Sequence, residues 1–160
     1  MGKGSGIPGR SEALEQTGTH TGTEDFVLDI PSDPEHVRTA RLFAAAVARH
    51  FSIDEERVED LKVAISEACT NAITAHRSAA IEDPVRVIAV PEANRIRFNV
   101  VDTGAGFDPQ TALSQHQEYT PPAGIFEGSL GLALIRSLFP GMEITRNDDR
   151  GMTVSIPVER

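Results

Sequence analysis

Ile65-Ser-Glu67-Ala-Cys-Thr-Asn71-Ala72 belongs to a run in which Val58, Leu61, Ile65, Ala68 and Ala72 recur at steps of three and four. That spacing predicts a helix from about Asp54 to Ser78 with one buried face. Glu67 and Asn71 are one helical turn apart, so their side chains leave the helix on the same side. In a helix that otherwise packs, such a face must meet something polar. A carboxylate there can take the proton of an attacking hydroxyl, and a carboxamide oxygen can ligate Mg²⁺, which takes few protein ligands and completes its octahedron with water and phosphate. Taken alone the pattern is permissive, because a solvated helix face reads the same way.

Two further motifs follow it. Arg95-Ile-Arg-Phe-Asn-Val-Val101 reads as a strand and delivers Asp102-Thr-Gly104-Ala-Gly106 at its end. The carboxylate of Asp102 could accept the exocyclic amine of adenine, which guanine replaces with a carbonyl, and the two glycines let backbone approach a ligand. An ordinary Asp-Thr-Gly turn is the competing reading. Glu127-Gly128-Ser-Leu-Gly131-Leu132 then opens a helix expected over Leu130 to Phe139. Unpaired amides at a helix start attract phosphate oxygens, so Gly128, Gly131 and Leu132 are candidate phosphate-loop residues. Three such motifs in this order point to a nucleotide site.

The remaining segments supply a frame for it. Phe26 to Ile30 alternates as a strand, and Ser32-Asp-Pro-Glu35 has the form of a capping box that starts a helix running to about His50. Val85 to Val90 and Arg95 to Val101 form a hairpin through Pro91-Glu-Ala-Asn94, and Met142 to Thr145 and Met152 to Val158 form another around Asn147-Asp-Asp-Arg-Gly151. The order β, α, α, β, β, α, β, β predicts an α+β fold: a two-layer α/β sandwich with helices on one face of a mostly antiparallel sheet. Residues 1–23, rich in Gly, Ser and Thr, are expected to be a flexible tail, and residues 24–160 to be the domain. About twenty residues after Phe107, with Pro109, Pro121, Pro122 and Gly124, read as a lid.

Composition narrows the partners. The 160 residues carry a net charge of -9 and no long Lys/Arg cluster, which argues against direct nucleic-acid binding and for a protein partner. No apolar run is long enough for a membrane span and no secretory h-region opens the chain, so a cytoplasmic location is expected. Cys69 is the single cysteine and reads as a small buried residue. Gly4-Ser-Gly6-Ile-Pro-Gly9 matches a dinucleotide fingerprint in letters only, because no strand precedes it, and no Walker-type phosphate loop is present.

The three motifs, quoted above, resemble the N, G1 and G2 boxes of the histidine-kinase-like ATPases (GHKL, Bergerat fold), and over residues 24 to 158 the chain resembles the RsbW-like anti-sigma-factor serine kinases. The resemblance implies ATP and Mg²⁺ as cofactors, Glu67 as the catalytic base, and Asn71 as the metal ligand. It places the nucleotide on Asn71, Asp102, Gly104, Gly106, Gly128, Gly131 and Leu132. It also implies a homodimer that binds a sigma factor and phosphorylates Ser or Thr of a small antagonist protein. A nucleotide-binding regulatory module with little or no transfer is the alternative. Three positions depart from the pattern: Ala75 stands where a His is common, with His76 following and not read as its equivalent; Ser129 replaces a glycine; and Met152 replaces a threonine.

Overall fold

The computed structural model describes residues 24–106 and 128–160. The expected tail (1–23) and the expected lid after Phe107 lie outside the described residues. Five strands, β1 (Phe26–Ile30), β2 (Val85–Pro91), β3 (Arg95–Val101), β4 (Glu143–Arg146) and β5 (Met152–Glu159), form one sheet in the order β1-β2-β3-β5-β4. Every pairing is antiparallel. Among the described residues three helices, α1 (Val37–His50), α2 (Glu55–Ser78) and α3 (Gly128–Leu138), pack against the sheet and one another to close a single apolar core. This is the α+β sandwich that the element order predicts.

Strand alternation sets the core. Val85, Val87 and Ala89 of β2, Ile96, Phe98 and Val100 of β3, and Val154, Ile156 and Val158 of β5 are all buried. Register puts them in rows, with Phe98 opposite both Ala89 and Ile156. The alternate residues form the other face, where Arg86 clasps Asp29 across β1 and β2 at 2.7 and 2.8 Å. Pro91 and Pro157 are tolerated because each lies beyond the reach of one flanking strand: β1 pairs β2 only as far as Ala89, and β4 pairs β5 only as far as Ser155.

The helical layer is built around α2, whose Val58, Leu61, Ala64, Ile65, Ala68, Cys69, Ala72 and Ile73 are buried. Each fully buried Leu or Ile of this kind contributes roughly 1.5–3 kcal/mol. Burial pushes the Cys69 thiol up to about 12, so at neutral pH it is a packing residue. The side chain of Asp54 caps the helix by accepting from Glu56 N. Near its start, Arg57 lies over the Phe139 ring and donates to Leu138 O at 3.1 Å, holding the C-terminal end of α3. The two helices therefore run antiparallel, and the start of α3 is carried toward the middle of α2.

Several boundaries differ from the sequence-based expectation. The chain enters α1 through a 3₁₀ turn, Pro34–His36, capped by Asp33, which accepts from Glu35 N, so Ser32 is not the cap. Proline at the first position of that turn moves the cap to the residue before it. Ser32 instead turns its hydroxyl toward α2 and the loop that follows it. In the last hairpin the first strand begins at Glu143, and Met142 packs into the core.

Candidate functional site

Glu67 and Asn71 project from the middle of α2 as expected, and Gly131 of α3 lies directly against them. A β-carbon at Gly131 would stand 2.6 Å from Glu67 Oε2 and 3.5 Å from Asn71 Nδ2. Two segments far apart in the chain thus meet at one polar spot. Only a glycine leaves that carboxylate where it is. Gly128 begins α3, so the helix start, with its unpaired amides, belongs to the same end of the helix. The side chain of Leu132 is fully buried in the core, so at this position the backbone is what could meet a ligand.

Asp102 sits just past β3 and is 7% exposed. Its Oδ1 accepts from Gly104 N at 2.8 Å and Met152 N at 3.3 Å, and among the described residues no donor reaches Oδ2. Burial raises the pKa of this carboxyl, while the two backbone amides pull it back. Gly104 packs on α2, where a β-carbon would stand 2.9 Å from Ala75 Cβ, one turn beyond Asn71. Gly106, at φ +76, has Met152 Sδ and Arg146 beside it. Asp102, Gly104 and Gly106 therefore continue the surface that begins at Glu67 and Asn71.

Sequence reasoning missed the groups that hold this surface in place. Gly151 has φ +90, and a β-carbon there would be 2.0 Å from the Asp102 carbonyl oxygen. Asn147 Nδ2 donates to the same carbonyl at 3.1 Å. Asn147-Asp-Asp-Arg-Gly151 signalled a turn, but not that the turn presses on Asp102. His76 is fully buried and joins Ser32, Asp83 and Thr103. An open cavity of about 540 Å³ is lined by Thr103, Arg146, Asn147, Asp148, Asp149 and Arg150. It borders the Asp102 loop at Thr103 and does not include Glu67 or Asn71. Among the described residues no three His, Cys, Asp or Glu side chains gather into a metal cage.

Residues 30–157 match the family described as the histidine kinase-like ATPase domain. The chain is 35% identical over 140 residues to the serine-protein kinase RsbW of Bacillus pumilus, covering 84% of this chain and 85% of that protein. The chain belongs to the histidine kinase-like ATPase family, among the RsbW serine-protein kinases. The serine-protein kinase RsbW of Bacillus velezensis is 32% identical over 139 residues, covering 85% and 86%. ATP use follows from the domain. Two solved structures share the fold. One contains the RsbU and RsbW domains of a Mycobacterium tuberculosis protein (TM-score 0.59, 18% identity, 86% of this chain and 32% of that longer one). The other is the SiaB–SiaC complex of Pseudomonas aeruginosa (TM-score 0.61, 9% identity, 83% and 88%).

Proposed function

We propose that this protein is an ATP-dependent serine/threonine kinase and anti-sigma factor, which binds a sigma factor and phosphorylates a small antagonist protein. The observation that carries the reading is the contact of Gly131 with Glu67 and Asn71, because it puts a proton acceptor, a metal-ligand type and a helix start at one place. The names of the relatives support the kinase activity, and the G1 carboxylate supports adenine as the base. Cytoplasmic action as a homodimer belongs to the same reading.

Glu67 takes the proton of the antagonist's Ser or Thr hydroxyl as that oxygen bonds to the γ-phosphorus, and the bond to the β,γ-bridging oxygen breaks to release ADP. Asn71 would hold Mg²⁺ through its side-chain oxygen, and the bound ion would supply charge that offsets that of the phosphates. The polar face of α2 and the close approach of Gly131 fit such a group. Amides at the start of α3 draw phosphate oxygens toward Glu67. Asp102 accepts the adenine amine on Oδ2 while Gly104 N and Met152 N hold Oδ1. Met152 replaces a side-chain hydroxyl in this family's pattern, yet its backbone amide still orients the carboxylate.

The test starts with proteins captured from the native cell with and without ATP. The captured antagonist is then incubated with the purified protein, Mg²⁺ and γ-labelled ATP. Label on a Ser or Thr of the antagonist is expected, with none from the Glu67→Gln variant. Sigma-factor capture with no transfer by the wild type would overturn the kinase half and leave a binding module.

A further inference from the structure

His76 occupies the last turn of α2, is fully buried, and touches Ser32 and Thr103, both distant in sequence, together with Asp83 in the loop that follows the helix. Its Nδ1 is 2.7 Å from Ser32 Oγ and 3.0 Å from Asp83 O, and its Nε2 is 2.8 Å from Thr103 N. The proton inventory decides the tautomer. A backbone N–H has only a proton to give, so Nε2 must accept and is unprotonated. Ser32 Oγ gives its own proton to Asp83 O at 2.6 Å, so it accepts at Nδ1, which therefore carries the ring proton. Thr103 is further tied through its hydroxyl to Asp83 Oδ2 at 2.7 Å, and Arg150 Nη2 reaches the same oxygen at 3.4 Å.

We propose that His76, as the neutral Nδ1–H tautomer, is the positioning residue for the base-recognising carboxylate: by accepting Thr103 N–H it anchors the residue next to Asp102 and so sets where Oδ2 meets the nucleotide. The inference rests on the reading of Asp102 as the adenine acceptor. Asp102 is held from one side by Gly104 N and Met152 N, and its carbonyl by Asn147. The next peptide along is held by a ring nitrogen from α2. That ring links the loop to the helix bearing Glu67 and Asn71, so the base-binding end and the phosphate end of the site share one rigid element. A buried amide left without its acceptor would turn toward water or another partner, taking the Asp102 loop with it.

Two substitutions separate positioning from packing. Gln in place of His can bring its side-chain oxygen to the position of Nε2, whereas Asn reaches only as far as Nδ1 and leaves Thr103 N–H unpaired. ATP and GTP affinities are measured by titration calorimetry for wild type, His76→Gln, His76→Asn and Asp102→Ala, with thermal melts of each. His76→Asn is expected to lose about 10-fold in ATP affinity with little change for GTP, and His76→Gln to stay within about 3-fold of wild type. If Asp102→Ala loses the ATP preference and a cooperatively melting His76→Asn keeps it, the positioning role is overturned and the adenine reading stands. If Asp102→Ala keeps the preference, the adenine reading fails and this inference with it. Nitrogen NMR of the wild-type ring is independent of how the variants fold. A protonated Nδ1 and an unprotonated Nε2 support the proposal, and a proton on Nε2 overturns it.

Discussion

Gly131 lies so close to Glu67 that a β-carbon on it would stand 2.6 Å from Glu67 Oε2. The atom struck is the far end of a flexible side chain, so the carboxylate can swing away at small cost to the fold. Alanine is also the better helix former, by roughly 1 kcal/mol. Gly131→Ala is therefore expected to leave stability within about 1 kcal/mol of wild type in urea melts, while phosphoryl transfer falls about 10- to 100-fold as the base is displaced. A loss of stability with transfer per folded molecule intact would contradict the placement of Glu67.

Gly151 is the opposite case. At φ +90, with the Asp102 carbonyl oxygen 2.0 Å from its missing β-carbon, neither its backbone nor its neighbour can give way cheaply. Gly151→Ala should cost on the order of 3 kcal/mol or more. The urea midpoint measures it, and a near-neutral result would mean that the β4–β5 turn does not press on Asp102.

Asp102→Ala should weaken ATP about 10- to 100-fold, the worth of a charge-assisted hydrogen bond. Burial raises the pKa of this carboxyl, and the adenine amine is best accepted by the ionised form. ATP affinity should therefore begin to fall, on acidification, above the usual carboxylate range of about 4. The sign for stability is opposite. The folded protein holds this proton more tightly than the unfolded chain, so Asp102 costs stability at neutral pH and that cost is relieved as pH drops from above the raised pKa toward the ordinary one. Asp102→Asn should abolish both dependences, which calorimetry and melts across pH can check.

Glu67→Gln and Asn71→Ala should separate the two roles on α2. The first keeps shape but cannot accept the substrate proton, so transfer should fall roughly 100- to 10,000-fold with ATP binding retained. The second removes a metal-ligand oxygen, so nucleotide binding should weaken and lose its dependence on Mg²⁺ concentration. Identical behaviour of the two variants would dissolve the distinction.

Ala80 follows α2 with φ +53 and donates to Arg77 O, while Ile81 N returns to His76 O at 2.8 Å. A left-handed alanine is strained by about 1–2 kcal/mol, partly offset by the extra entropy a glycine loses on folding. Ala80→Gly should stabilise the protein by about 0.5 kcal/mol in the same melts. Destabilisation would show that the turn is not strained.

Local periodicity made much of this fold legible. Alternation set the faces of β2 and β3, three-four spacing set the buried face of α2, and the turn from Glu67 to Asn71 put both residues on its polar side. Those features depend on backbone geometry that each segment carries with it. Glycines at Gly104, Gly131 and Gly151 were visible as letters, but their neighbours were not, because each packs against a residue from another element. Ser32 shows the limit most directly. Its spacing to Glu35 reads as a capping box, yet Asp33 takes the cap and Ser32 joins His76 and Asp83. Sequence alone singled out the residues proposed to bind nucleotide and carry the chemistry. The tertiary structure decided that Gly131 meets Glu67 and that His76 holds Thr103, since such contacts exist only after the α3–α2 packing and the sheet bring distant segments together.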